Sequence, residues 1–178
     1  MKHKVLISLG SNKGARITNL ENAIAQIEGK LGSILAISPV YETASWGYTD
    51  APYLNNAICL LTSIEPIALL ESLLKIESNL GRTRSLTAEY QAREIDLDII
   101  LVEGVVIDHV KLQIPHPRMS LRKFVLKPMV DIAPNWVHEL LDVTLNDLLL
   151  QCEDQSEIKL YGHVSGVANQ QFIEPAGH

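Results

Sequence analysis

Features that mark membrane, exported and thiol-based proteins are scarce in this sequence of 178 residues. No apolar run approaches the roughly 18 residues that a membrane-spanning helix needs, so we expect no membrane role. The start, MKHKVLISLGSNKG, holds only about five apolar residues before polar ones resume, which is too short for a signal-peptide core and predicts a first strand. The two cysteines, Cys59 and Cys152, match no metal or redox spacing. We therefore expect a reducing, cytoplasmic setting.

Positive charge is also limited, since the formal net charge is −6, and this argues against nucleic acid as the main partner. A basic stretch nevertheless lies in the middle of the chain, and only Lys159 is basic after it. It holds eight of the fifteen basic residues: Arg82, Arg84, Arg93, Lys111, Arg118, Arg122, Lys123 and Lys127. Such a stretch in an acidic protein indicates a local site for a small anion, and a solvated surface of mixed charge is the alternative.

The order of strand and helix patterns predicts an α+β fold. KVLISLGSN is a strand, and an amphipathic helix follows it with apolar residues at helical spacing, namely Leu20, Ala23, Ile24, Ile27 and Leu31. SILAISPVYET and YLNNAICLLTS are extended, and a second helix has Pro66 in its first turn and Gly81 just past its end. The strand REIDLDIILVEG comes next, and VVIDH is predicted to pair back on it through Glu103-Gly104.

This β-α-β-β-α-β order is the split βαβ, ferredoxin-like pattern, an antiparallel sheet with both helices packed on one face. Farther along, TLNDLLLQC predicts another helix. We expect a single domain over residues 1–161. From about Gly162 the composition turns small and polar, so residues 162–178 are predicted to form a loosely ordered tail.

Two carboxylates, Asp96 and Asp98, lie one residue apart within the strand REIDLDIILVEG. Residues two apart share a face of a strand, so both carboxylates point away from the core, about 6–7 Å apart. The apolar residues around them are predicted to face the core: Ile95, Leu97, Ile99 and Leu101. Because close carboxylates repel and Asp is a poor strand former, a hard cation such as Mg²⁺ is the natural partner. The alternative is a solvent-facing strand that tolerates two acids with help from Arg93.

The segment before this strand adds three guanidinium groups suited to phosphate oxygens, those of Arg82, Arg84 and Arg93. A metal pair beside a mobile, arginine-bearing loop is a plausible arrangement for phosphoryl transfer. The chain has neither a Walker P-loop nor the glycine loop of protein kinases, so neither of these common nucleotide-binding folds is in use.

Seven short motifs, taken in order, make the chain resemble the 6-hydroxymethyl-7,8-dihydropterin pyrophosphokinase family over about residues 3 to 150. Each motif alone is weak, but the ordered set is specific. The matching residues are Gly10-Ser11-Asn12; Tyr41, Thr43 and Gly47; Tyr53-Leu54-Asn55; Gly81, Arg82 and Arg84; Arg93, Asp96, Leu97, Asp98 and Ile99; Pro115-His116; and Arg122 with Phe124.

The resemblance implies transfer of a pyrophosphoryl group from ATP to the hydroxymethyl group of the dihydropterin, with release of AMP, in folate biosynthesis. It implies that Asp96 and Asp98 bind two Mg²⁺ ions, and that Arg82 and Arg93 act with them in catalysis. The implied ATP contacts are Glu77, Arg84, Tyr90, Ile99, Lys111, His116 and Arg122. The expected partners are these small molecules, with a monomer or a homodimer as the assembly.

The pterin pocket implied by the resemblance also makes chemical sense. A flat bicyclic ring favours aromatic faces, which Tyr53 and Phe124 offer as a stacking pair. Asn55 has both a donor and an acceptor for the amide-like edge of the ring, and the main chain at Thr43 and Trp46 adds more. Taken one at a time, Tyr53 and Phe124 are better explained as core residues and Asn55 as a turn residue. Taken together, in the register of the family, they favour the pterin site.

The sequence departs from the family pattern in the segment before Arg93. Glu89 stands where a basic residue is common, and Gln91 and Ala92 replace a Gly-Pro pair, which bears on how this loop closes. Lys111 replaces an arginine, so the compact charge of an ammonium stands where the family has a planar guanidinium with several donors. Two rival hypotheses remain: a non-catalytic ferredoxin-like sensor of pterins or nucleotides, and another Mg²⁺-dependent transferase related to sugar-nucleotide enzymes with a D-x-D motif.

Overall fold

The computed structural model describes residues 1–44, 51–81 and 94–165. Its main sheet has six antiparallel strands in the order β5-β1-β4-β3-β8, and β2 also pairs with β4. These strands are β1 (His3–Ser11), β2 (Ser33–Ile37), β3 (Val40–Thr43), β4 (Tyr53–Thr62), β5 (Asp96–Val102) and β8 (Ile158–Gly162). The predicted α+β, split βαβ sheet is confirmed.

Helices cover both faces of this sheet. Along the described chain they are α1 (Arg16–Lys30), α2 (Pro66–Asn79), α3 (Lys123–Ile132) and α4 (Leu145–Gln151), with a 3-10 turn at Met119–Leu121. Helices α1 and α2 pack on one face and form the first core, as the sequence predicts. Helices α3 and α4 pack on the opposite face and form the second core. The sequence predicts α4 without indicating which face it covers.

Strand β5 contains a β-bulge that reverses its alternation. Leu6 pairs with Leu101 and Ile7 with Ile99, so Ile100 is an extra residue opposite β1. Leu101 consequently packs in the second core, whereas Ile99 packs in the first. The prediction that Leu101 shares the face of Ile99 is wrong, because strict alternation cannot anticipate an inserted residue.

The segment after β5 forms its own small hairpin. Strand β6 (Ile107–His109) pairs with β7 (Leu112–Ile114) in a separate two-stranded sheet. The prediction that VVIDH pairs back on β5 is therefore wrong. The Glu103-Gly104 turn is present, with Gly104 at φ 67°, but it directs the chain away from the sheet edge.

The end of the described chain adds a strand that the sequence pattern did not reveal. Strand β8 pairs with β3, and Glu42 lies opposite Lys159. The predicted domain boundary at residue 161 falls inside this strand, and residues 166–178 of the predicted tail lie outside the described residues. Along the part of the chain that is described, no helix has the length and apolar character needed to cross a bilayer.

Two glycines near the end of α1 give a matched test of the packing between helix and sheet. A Cβ added at Gly32 would lie 2.3 Å from the backbone oxygen of Leu61, whereas one at Gly29 meets nothing within 4 Å. We expect Gly32→Ala to lower the free energy of unfolding by about 2–3 kcal/mol, because backbone atoms would have to move. Gly29→Ala, inside the helix, should raise it by up to about 1 kcal/mol.

Urea denaturation of the two variants and the parent chain measures both effects. Equal changes in the two variants would contradict the close approach at Gly32.

Candidate active site

The floor of the candidate site is formed by two small residues of β1, Ser8 and Gly10. Gly10 lies in register with Asn55 of β4 on one side and with Asp96 of β5 on the other. Ser8 lies opposite Asp98 in the same way. Because cross-strand partners share a face of the sheet, these side chains project to one side. A carboxylate pair and a buried amide are thereby brought together across two positions of β1 that carry little side-chain bulk.

A cavity lies above this floor and collects most of the described residues that the sequence predicts for the site. They are Thr43, Tyr53, Asn55, Asp96, Asp98, His116, Arg122 and Phe124. The other lining residues are Ser8, Gly10, Ala44, Ile100 and Val125. None of these five is among the predicted site residues, because they are small or apolar side chains, although Gly10 belongs to the first of the seven family motifs.

The Asn55 side chain is held in one orientation. Its Nδ2 donates to Thr43 Oγ1 at 2.8 Å, and both residues are buried. A Cβ placed at Gly10 would lie 3.1 Å from Asn55 Oδ1 and 3.6 Å from Tyr53 Cδ1. The fixed amide oxygen therefore sits close over the Gly10 backbone, next to the Tyr53 ring.

The opposite wall of the cavity comes from the start of α3. Arg122 is the N-cap residue of α3, and its guanidinium carbon lies 5.8 Å from the centre of the Phe124 ring. Farther along the helix, Asp131 accepts a hydrogen bond from the Tyr41 hydroxyl at 2.6 Å and also binds Lys127. Burial and this hydrogen bond to Asp131 raise the pKa of Tyr41, so the phenol stays a donor. This contact fastens α3, and with it Phe124, to β3.

A second cavity lies between β5 and the β6–β7 hairpin. Its lining includes Ile99 and Lys111, two of the predicted nucleotide contacts, together with Leu70, Asp108, His109 and Gln113. Asp98 and His116 line both this cavity and the first one. The two cavities therefore meet at one carboxylate and one imidazole.

His116 is arranged to stay neutral. Its Nδ1 accepts the backbone N–H of Arg118 at 3.2 Å, so the neutral ring carries its proton on Nε2. Burial lowers the pKa of His116, and the positive charges of Arg122 and Arg118 lower it further. A neutral imidazole with a free donor nitrogen can hydrogen-bond an anion without holding a second proton.

Glu77 occupies a different position from the other predicted contacts. Its side chain is buried, and Oε1 accepts the backbone N–H of Leu97 at 2.7 Å. It supports β5 from the side of α2 and is not among the residues that line either cavity. Its predicted contact with the nucleotide stays a prediction.

Several predicted site residues lie outside the described residues. They are Trp46, Arg82, Arg84, Tyr90 and Arg93, together with Glu89, Gln91 and Ala92 of the divergent segment. The roles predicted for them stay predictions.

The carboxylate pair suits a hard cation that is shared with a ligand. Asp96 and Asp98 are half-buried and face the first cavity. Within residues 1–44, 51–81 and 94–165, no three His, Cys, Asp or Glu side chains are grouped as a metal site. Mg²⁺ commonly takes one or two protein carboxylates and completes its shell with water and phosphate oxygens. The chemistry of this donor set therefore fits Mg²⁺ bound together with a polyphosphate.

A thiol nucleophile is not available at this site. Cys59 is buried in the second core, and burial raises its pKa to about 12. Only the thiolate is a strong nucleophile, so this residue acts as a small apolar side chain.

Comparison with known proteins gives consistent matches. The family model described as 7,8-dihydro-6-hydroxymethylpterin-pyrophosphokinase (HPPK) matches residues 6–134. The 2-amino-4-hydroxy-6-hydroxymethyldihydropteridine pyrophosphokinase of Bacillus subtilis is 36% identical over 169 residues, covering 94% of this chain and 95% of the relative. The protein of the same name from Porphyromonas gingivalis is 38% identical over 137 residues, covering 75% and 92%.

A solved structure resembles the fold at lower sequence identity. The crystal structure of Plasmodium falciparum HPPK-DHPS wild type with pteroate aligns with a TM-score of 0.70 and 16% identity. The alignment covers 85% of this chain and 42% of that chain. This chain thus spans less than half of the Plasmodium chain, and the likeness shows a shared fold.

The environment of His116 predicts its titration in the ligand-free protein. We expect the pKa of His116 to lie below 6.5, and Arg122→Gln to raise it because one of the nearby positive charges is removed. Burial also lowers the pKa of His138, but that residue should not respond to the substitution. NMR titration of the imidazole resonances measures both pKa values. An unchanged His116 pKa in Arg122→Gln would contradict the charge effect.

Proposed function

This chain belongs to the 7,8-dihydro-6-hydroxymethylpterin-pyrophosphokinase family, and we propose that the two cavities meeting at Asp98 and His116 are its two substrate sites. The chain transfers a pyrophosphoryl group from ATP to the hydroxymethyl group of 6-hydroxymethyl-7,8-dihydropterin and releases AMP, a step of folate biosynthesis. The observation that carries the proposal is the shared boundary, because a transfer between two substrates requires their reacting groups to meet at one place.

The first cavity is the pterin site in this proposal. Tyr53 and Phe124 stack on the two faces of the bicyclic ring, as aromatic side chains favour. Asn55 forms hydrogen bonds with the amide-like edge of the ring. The hydrogen bond from its side chain to Thr43 fixes which atom of the Asn55 amide faces the ligand. The hydroxymethyl group then points toward Asp96 and Asp98.

The second cavity is the nucleotide site. Ile99 and Leu70 give it an apolar wall, and Lys111 adds a positive charge near its rim. His116 donates from Nε2 to a phosphate oxygen, and Arg122 contacts the same chain of phosphates from the side of the first cavity. Glu77 supports this site indirectly, because its carboxylate accepts the backbone N–H of Leu97, next to Asp96 in β5.

Asp96 and Asp98 hold the magnesium that accompanies ATP, and two ions are proposed. Held by these two carboxylates, Mg²⁺ would supply Lewis-acid chemistry to the phosphate chain and to the attacking hydroxyl. The two carboxylates orient the β-phosphorus against the pterin hydroxyl and can accept its proton. Arg82, Arg84 and Arg93 are proposed to neutralise charge on the β- and γ-phosphates, and Tyr90 is proposed to cover the bound substrates. The main chain at Trp46 is proposed to contact the pterin.

The remaining proposals concern assembly and location. We expect the chain to act as a monomer or a homodimer, since each copy carries both cavities. A cytoplasmic location fits its use of ATP.

Neutralising either carboxylate tests the reaction directly. We expect Asp96→Asn and Asp98→Asn each to lower kcat by a factor of about 100 to 1000, because several kcal/mol of metal-dependent stabilisation are lost. Glu28→Gln, an exposed acid on α1, is the matched control and should keep full activity. Chromatography of the nucleotide product after incubation with Mg-ATP and the dihydropterin provides the measurement.

AMP formed in step with the pyrophosphorylated pterin supports the reaction. ADP would indicate transfer of a single phosphoryl group, and binding of the pterin without turnover would favour the sensor hypothesis.

Gly10 gives a second test, aimed at the pterin site. A methyl group on Gly10 would approach Asn55 Oδ1 to 3.1 Å, so Gly10→Ala should shift the amide and the neighbouring Tyr53 ring. We expect the KM for the pterin to rise about tenfold, since overpacking costs about 1–3 kcal/mol, while the KM for ATP stays within about twofold. Gly29→Ala, which meets nothing within 4 Å, is the control in steady-state kinetics. Equal changes in both KM values would contradict the separate sites.

A further inference from the structure

Arg16, the first residue of α1, connects two strands and the segment before a third from outside the substrate cavities. Its Nη1 donates to Glu42 Oε2 at 2.9 Å and to the backbone oxygen of Pro52 at 2.8 Å. Its guanidinium carbon also lies 5.9 Å from the centre of the Tyr161 ring in β8. One side chain therefore contacts β3, the chain just before β4, and β8.

The two hydrogen-bonded contacts are next to residues of the pterin site. Glu42 precedes Thr43, and Pro52 precedes Tyr53. Thr43 and Tyr53 are the last pair of the β3–β4 ladder, and both line the first cavity. Arg16 thus fixes the separation of the two chain segments at the open end of this ladder.

Arg16 does this from the opposite face of the sheet. Glu42 pairs with Leu54, whose side chain packs in the first core against α1. Thr43 and Tyr53 alternate with them and face the cavity. Arg16 is accordingly not among the residues that line either cavity, and it can act on the pterin only through its neighbours.

A guanidinium is chemically suited to this task. Its planar, forked donors can serve a carboxylate and a carbonyl at fixed angles, whereas the ammonium of lysine is a single point. About a quarter of the Arg16 side chain and a third of the Glu42 side chain are exposed, and ion pairs at this degree of exposure contribute little to stability. The contact therefore serves geometry more than folding.

The turn between β1 and α1 holds the same segment a second time. Asn12 Nδ2 donates to the backbone oxygen of Ala51 at 3.3 Å. Ala51 is thus held by the turn that follows the Gly10 floor, and Pro52 by the first residue of α1. The floor of the pterin cavity and the approach to Tyr53 are set by one continuous segment.

We propose that Arg16 is a positioning residue for the pterin site, which holds Thr43 and Tyr53 at the spacing that the ring requires. This inference rests on the proposed assignment of the first cavity to the pterin. It predicts an effect confined to one substrate, because the contacts of Arg16 with described residues lead to β3, β8 and the segment before β4 and not to the β6–β7 hairpin.

The test compares Arg16→Ala and Arg16→Lys with Lys30→Ala, an exposed basic residue at the other end of α1. We expect Arg16→Ala to raise the KM for the pterin about tenfold, with the KM for ATP and the melting temperature nearly unchanged. Arg16→Lys should recover part of the loss, because an ammonium can keep one of the two hydrogen bonds. Lys30→Ala should match the parent chain in every measurement.

A direct measurement of pterin binding tests the role of Arg16 independently of the proposed catalytic activity. The dissociation constant of 6-hydroxymethyl-7,8-dihydropterin, measured by calorimetry for the same variants, should follow the KM values. If the parent chain binds the pterin without turnover, the catalytic proposal fails, and the binding comparison still decides the role of Arg16. Parallel increases in both KM values, a lower melting temperature alone, or no change in Arg16→Ala would overturn the inference.

Discussion

The pairing register of β1 is the constraint on which the site depends. Gly10 is held opposite Asn55 by one ladder and opposite Asp96 by the other. A slip of one residue in either ladder would turn one set of side chains to the other face of the sheet. The same two ladders place apolar side chains of β1 in both cores. The free energy that fixes the register therefore comes from hydrophobic packing, which involves many more residues than the site does.

Among the described residues, packing on both faces of the sheet leaves the first cavity open above β1. Helices α1 and α2 cover one face, and α3 and α4 cover only part of the other. The uncovered floor consists of Ser8 and Gly10, where larger side chains would occupy the space of the ring. The hydrogen bond from Tyr41 to Asp131 holds α3 against β3, and Phe124 at the start of the same helix gives the cavity its second aromatic wall.

The electrostatics of the site follow from this arrangement. Asp96 and Asp98 face the cavity from a strand whose other side is buried, so their charges are directed at the ligands. His116 and Arg122 lie on the chain that crosses the end of β5, where the backbone N–H of His116 bonds to Ile100. Negative charge for a metal and donors for phosphate are therefore adjacent at one end of the cavity.

The sequence by itself determined the main elements, the shared face of the two aspartates and the family, because strand and helix periods and ordered motifs are local signals. Tertiary structure alone decided the bulge that sends Leu101 to the second core, the separate hairpin of β6 and β7, and the pairing of β8 with β3. It also placed Ser8 and Gly10 opposite the two aspartates, and Arg16 against Glu42 and Pro52. These residues act through register and distance between segments far apart in the chain, and no local pattern encodes such distances.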